Sequence, residues 1–295
     1  MSHSILDTIG NTPLVLSKVV NQNPNVKLFF KLEGNNPGGS VKDRAALNMI
    51  QGGLERGDFS TDSKLIEATS GNTGIALAMI AGIYGLDIEL VMPENSTKER
   101  VQTMRAYGAK VTLTPAEVGI EGARDYAEQK VKDEGFIMFN QFSNDDNWMA
   151  HYKSTGPEIW RDTQGGITHF VSSMGTTGTI MGTSTYLKEM NQGVQIVGVQ
   201  PADEAKIPGI RKWPKEYLPK IFDPNKVDSV LEVSEEEARD MAKRLAKEEG
   251  IFAGMSSGGA AAAAVKLAQS LDKGVIVSII CDRGDRYLSS DLFDI

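Results

Sequence analysis

The amino-acid sequence predicts an α/β fold of two lobes, each a largely parallel twisted sheet flanked by helices. Three observations carry this expectation. Short apolar runs alternate with helix-like stretches along the chain, the βαβ order that builds parallel sheets covered on both faces. The 295 residues, 40% of them hydrophobic, can bury a large core and reach the length at which one core gives way to two. Strand-like runs lead into Gly/Ser/Thr loops, and the loops at the C-terminal ends of parallel strands are where such proteins bind ligands.

In chain order, KLFFKL reads as the first strand, and GNNPGGS at 34 to 40 then leads into the helix VKDRAALNMI. KLIEA, IELVMP, KVTLT and FIMFNQF follow as strands, separated by the helical patterns GIALAMIAGIYG, STKERVQTMRAYG and EGARDYAEQKVKDEG. The Asn/Asp-rich stretch NQFSNDDNW at 140 to 148 marks a crossing between lobes. Beyond it come the strands THFVSSM, VQIVGVQ and VIVSIIC, the helix SEEEARDMAKRLAKEEG, and an alanine-rich helix around 260 to 265. The expected division is a smaller mobile lobe of residues 37–147 and a larger lobe of 1–36 and 148–295. No internal repeat or low-complexity segment interrupts this order.

Charge narrows the function classes. With 31 basic and 39 acidic residues the net charge is -8, and no long basic cluster is present, so phosphodiester backbones are not attracted and nucleic acid is not expected as a partner. No apolar run approaches the roughly 18 residues that span a membrane, and MSHSILDTIGNTPLV lacks the layout of a secretory leader, so a cytoplasmic location is expected. The single cysteine, Cys281, cannot form an internal disulfide. His3, His151 and His169 are scattered without ligand spacing, and no metal site is expected.

Three Gly-rich loops carry chemistry: TSGNTG at 69 to 74, GTTGT at 175 to 179 and GIFAGMSSGG at 250 to 259. Each is expected to follow a strand and open a helix around one shared crevice. In GTTGT, glycines let backbone N–H groups converge, threonine hydroxyls add donors, and the next helix presents its positive end, which together suit a phosphate. By itself the loop reads equally well as a tight strand-to-helix turn. Neither GTTGT nor GGSVK matches the dinucleotide or triphosphate fingerprints. Lys42 then reads either as a solvated lysine beside Asp43 or as an amine nucleophile. Ser40 can cap its helix, placing Lys42 in the first turn, where the positive helix end disfavours the ammonium form.

A lysine able to form an imine, a phosphate cup and polar loops in one crevice are the parts pyridoxal 5′-phosphate requires. Here GNTPLV, GSVKDR, TSGNTG, GTTGT and SSGG, in this order over nearly the whole chain, resemble the fold-type II pyridoxal-phosphate enzymes of tryptophan synthase β-like fold, specifically the cysteine synthases or O-acetylserine sulfhydrylases. IPGIRKWPKEYLP, GPEIW and IICDRGDRY are most similar to their B branch.

The resemblance implies Lys42 as the catalytic lysine carrying the cofactor. It implies Asn72 at the ring hydroxyl, Gly175, Thr176, Thr177, Gly178 and Thr179 around the phosphate, and Ser256 at the pyridine nitrogen. A neutral hydroxyl at that nitrogen makes the ring a moderate electron sink, suited to β-elimination and replacement. Thr69, Ser70, Thr73 and Gln141 are implied as partners of the substrate carboxylate. The implied reaction replaces the acetoxy group of O-acetyl-L-serine by sulfide through an aminoacrylate, in a homodimer.

Arg211, Lys212 and Trp213 place two cations beside an aromatic ring, more charge than sulfide needs and suited to thiosulfate. The B branch carries two arginines before this tryptophan, and this chain has Arg-Lys; Cys281 is either a sulfur-donor contact or a small apolar strand residue. Other fold-type II enzymes of the cystathionine β-synthase, serine dehydratase or threonine synthase type share the same lysine and cup. A non-catalytic scaffold that binds the cofactor is the reading from a different class.

Overall fold

The computed structural model describes residues 4–69 and 71–294. Its strands are β1 (Leu14–Leu16), β2 (Val26–Leu32), β3 (Lys64–Ala68), β4 (Asp87–Pro93), β5 (Lys110–Thr114), β6 (Ile137–Met138), β7 (His169–Ser173), β8 (Gln195–Pro201), β9 (Ser229–Val233) and β10 (Gly274–Ile280). Its α-helices are α1 (Lys42–Arg56), α2 (Asn72–Tyr84), α3 (Lys98–Ala106), α4 (Gly119–Glu134), α5 (Asp145–Lys153), α6 (Thr155–Asp162), α7 (Gly178–Met190), α8 (Glu235–Arg244) and α9 (Met255–Ser270). The strands form two sheets, β1-β2-β10-β7-β8-β9 and β5-β4-β3-β6. Every pairing is parallel except that of β1 with β2.

Composition explains the layers. β4 is buried at every position after Asp87 and β8 at nearly every one after Gln195, as parallel strands covered on both faces must be. α2 is apolar around most of its circumference, and its residues from Thr73 to Ala81 are all buried between the smaller sheet and α1. α9 buries a run of alanines against the larger sheet, where small side chains let helix and strands approach closely. α8 opens on a capping box between Ser234 and Glu237.

Four expectations change. FIMFNQF shrinks to the two-residue strand β6, because the chain leaves the sheet at Phe139 and Asn140 enters the left-handed region with φ 51°. The Asn/Asp-rich stretch is a turn up to Asn144 and helical from Asp145 onward, since Asn144 caps α5 by accepting the Asp146 N–H. The third Gly-rich loop does not follow a strand: α8 continues into one π-helical turn, Leu245–Glu249, and Gly250 to Gly254 then runs irregularly into α9. Two short strands, β1 and β9, escape the sequence reading because both lie at the edges of the larger sheet with exposed residues and weak alternation.

Candidate active site

The C-terminal ends of β3, β7 and β8 open on a crevice of about 1080 Å³ between the two sheets. Lys42, Thr69, Asn72, Thr73, Gln141, Gly175, Thr176, Arg211, Lys212, Trp213 and Ser256 line it. Ser70 lies outside the described residues. Thr177, Gly178, Thr179 and Cys281 are not among the lining side chains.

Lys42 is the first residue of α1, and its backbone N–H donates to Ser40 Oγ at 3.2 Å. Its Nζ donates to Thr176 Oγ1 at 3.3 Å, so the amine stands at the entrance of the GTTGT loop. Removal from water lowers the Lys42 pKa, with the nearby Cys281 acting in the opposite direction. The Cys281 thiol itself is pushed up to about 12, chiefly by burial and then by Asp282, so it is a neutral thiol at ordinary pH.

The GTTGT loop is built as an anion cradle. Thr177 is a non-glycine residue in the left-handed region at φ 72° and caps α7, and its buried Oγ1 has no hydrogen-bond partner among the described residues. A buried hydroxyl without a partner at a helix N-terminus is a site awaiting an acceptor. At Gly175 a Cβ would stand 2.7 Å from the Gly209 carbonyl oxygen, and at Gly178 it would run into the Asn147 side chain. The close approach therefore requires glycine at both positions. Thr179 Oγ1 meets His151 Nε2 at 3.3 Å, and burial holds that imidazole down at about 3, neutral across the working range. Trp213 Nε1 donates to the Gly175 carbonyl at 2.7 Å, locking the mouth loop to the cradle. These donors and this shape fit a phosphate group.

At the opposite wall Thr73 donates to Gln141 Oε1 at 2.8 Å, both side chains being buried. Thr69 and Thr73 flank the positive N-terminus of α2, the arrangement a carboxylate prefers. Ser256 lies in the first turn of α9, its carbonyl accepting from Ser173 Oγ at 2.9 Å.

Asn72 is held more firmly than a turn residue needs. Its amide donates to Asp282 at 2.8 Å and accepts from Arg286 at 2.6 Å. Arg286 also donates to the Gly38 carbonyl, while Asp282 accepts from Tyr287 and from the Gly254 N–H. Asp282 and Arg286 are site-building residues that sequence reasoning left unassigned. Their signal was the four charges of DRGDRY, just after an apolar strand. Asn147, which donates to Thr176 at 3.2 Å and to the Gln141 carbonyl at 2.7 Å, was hidden in the Asn/Asp-rich crossing.

The basic pair at the mouth does not act as a pair. Arg211 is exposed and stacks over Trp213 at 5.1 Å, whereas Lys212 is committed to Asp203 and Glu232, each at 2.7 Å. The expectation of two free cations reduces to one. Trp213 packs edge-on against Phe142 at 5.5 Å, with Arg124 over the other ring.

Two largely parallel sheets meeting at a lysine, a loop whose donors fit a phosphate and a helix N-terminus suited to a carboxylate have the arrangement of a fold-type II pyridoxal-phosphate enzyme. In agreement, the family model described as pyridoxal-phosphate dependent enzyme matches residues 5–282, and the chain belongs to that family, in its cysteine synthase B branch. It is 58% identical over 292 residues to cysteine synthase B of Pseudomonas aeruginosa, covering 99% of this chain and 97% of that one. It is 54% identical over 287 residues to cysteine synthase B of Escherichia coli, covering 97% and 94%. A crystal structure of cysteine synthase from Entamoeba histolytica superposes with a TM-score of 0.94 at 36% identity, covering 100% of this chain and 91% of that chain.

Proposed function

We propose that this chain makes L-cysteine by replacing the acetoxy group of O-acetyl-L-serine with sulfide, and that thiosulfate serves as a second sulfur donor. The observation that carries this reading is the Lys42 amine, lowered in basicity by burial, 3.3 Å from the hydroxyl of Thr176 in the phosphate cradle. Pyridoxal phosphate, when bound, supplies electron withdrawal from the α-carbon of the amino acid. The chain supplies the rest. Lys42 holds the cofactor and afterwards moves the α-proton at Nζ. Gly175 to Thr179 would hold its phosphate, Asn72 would serve the ring hydroxyl, and Ser256 would offer the ring nitrogen a neutral partner that keeps the sink moderate. Thr69, Ser70, Thr73 and Gln141 grip the substrate carboxylate.

We read residues 37–147 as the lobe that closes when this carboxylate is captured, excluding water while the sulfur donor approaches. Cys281 is read as packing beneath the lysine, because its thiol is neutral and lines no part of the crevice. Family membership supports a homodimer, and the absence, among the described residues, of any helix long and apolar enough to cross a membrane accords with a cytoplasmic enzyme.

Supplying O-acetylserine with sulfide and with thiosulfate in separate reactions, and identifying the products by mass, tests the reading. Cysteine from sulfide is expected, with S-sulfocysteine from thiosulfate. Failure to consume O-acetylserine with either donor overturns it.

A further inference from the structure

Glu67 is the penultimate residue of β3, just before Thr69 and the start of α2 that carries Thr73, and is only 2% exposed. Its carboxylate accepts the backbone N–H of Asn140 at 2.9 Å and of Gln141 at 3.4 Å. These are the residues at which the chain leaves the smaller sheet, and Asn140 is held there in the left-handed region. Gln141 then reaches in two directions: its side chain accepts from Thr73, and its carbonyl accepts from Asn147, which also binds Thr176 of the phosphate cradle. One buried carboxylate therefore fixes the backbone that joins the two halves of the site.

We propose that Glu67 is a positioning residue for substrate-carboxylate recognition, holding the Asn140–Gln141 backbone so that the Gln141 amide meets Thr73. The inference rests on the reading of Thr73 and Gln141 as carboxylate partners. Burial raises Glu67 to about 7, opposed by the bonded N–H groups of Asn140 and Gln141 and by Arg124 on α4. Arg124 is the charge that acts on it. β6 and α2 carry no charged residue, β4 presents Leu90 in register, and the Glu89 carboxylate of β4 is bonded to Lys110 and Thr112. Ionisation of Glu67 strengthens both acceptor bonds, so carboxylate recognition tightens as pH rises through this range.

The test compares wild type with Glu67→Gln, which keeps the shape and removes one acceptor and the charge, and with Glu67→Asp, which keeps the charge and withdraws it by one methylene. Amide hydrogen exchange of the cofactor-loaded enzyme is expected to quicken about tenfold at Asn140 and Gln141 in both variants, with the β10 amides unchanged. kcat/KM for O-acetylserine should fall about tenfold through KM, the KM for sulfide and the cofactor content should hold, and the inflection near pH 7 should vanish in Glu67→Gln alone. L-serine binding, followed by the cofactor's visible spectrum, should weaken by the same factor, and it reports on Glu67 even if O-acetylserine proves not to be the substrate. Unchanged exchange at Gln141, or equal losses for both substrates with a lower melting temperature, overturns the proposal.

Discussion

Asn72 Nδ2 donates to Asp282 Oδ2 at 2.8 Å, joining the first turn of α2 to the segment that follows β10. The same carboxylate takes the Tyr287 hydroxyl and the Gly254 N–H, so one side chain gathers the Asn72 turn and the entry to α9. Asp282→Ala leaves three donors without their acceptor. At about 1–3 kcal/mol for each buried unsatisfied group, the variant should lose at least ~2 kcal/mol in denaturant unfolding. An unchanged midpoint would show that these bonds contribute nothing net.

Lys42→Ala should fold, because the residue is part-buried and among the described residues its amine bonds only to Thr176, yet it should lose turnover by at least ~10²-fold and lack the cofactor's lysine-linked absorption band. Lys206 and Lys212 also line the crevice, and Lys212 is engaged by two carboxylates. Near wild-type turnover in Lys42→Ala would remove the residue from the mechanism.

Arg211→Ala should depress thiosulfate turnover by roughly ten- to a hundredfold, the worth of one charge-assisted contact of about 1.5–3 kcal/mol, and leave sulfide turnover within a few-fold. Lys212→Ala should leave both within a few-fold, since Asp203 and Glu232 already occupy that ammonium. Equal losses with both donors in Arg211→Ala would tie the arginine to structure or to the first half-reaction.

Asp43 gives a pH signature with a defined sign. Its buried carboxyl accepts the Gly38 N–H on one oxygen, has no partner on the other among the described residues, and is raised to about 7 by desolvation. An acid raised on folding favours the native state below its unfolded pKa and loses that contribution as pH rises through the folded value. Relative to wild type, Asp43→Asn should therefore gain melting temperature steadily between pH ~4 and ~7 and level off above. A difference that does not vary with pH would show that Asp43 ionises normally.

Much of this was legible because parallel strands and the loops at their ends announce themselves locally. KLIEA followed by TSGNTG, and THFVSSM followed by GTTGT, contain strand, turn and helix start within a dozen residues, and Asn72 and Thr176 came with them, as Lys42 came with GNNPGGS. What escaped depends on partners far away in the chain. Asp282 acquires its meaning from Asn72, 210 positions earlier, and Glu67 from Gln141, 74 positions later. Lys212 read as free because Asp203 and Glu232 neutralise it only after the mouth loop folds back. The edge strands β1 and β9 lacked the double-sided burial that makes an interior strand visible.

The position of β10 carries a consequence for biosynthesis. Among the described strands it comes last in the chain, yet it pairs with β2 on one side and β7 on the other, in the interior of the larger sheet. While a ribosome is still making the preceding residues, the facing edges of β2 and β7 have no neighbour, and the bridges from Ser40 and Ala253 to Asp282 and Arg283 cannot form. The smaller sheet, complete once Met138 has emerged, is free to fold long before then. Until β10 has emerged, the chain thus carries one sheet whose strands are all present and one open template, and the loops at Ser40 and Ala253 are tied down only after Arg283 is made.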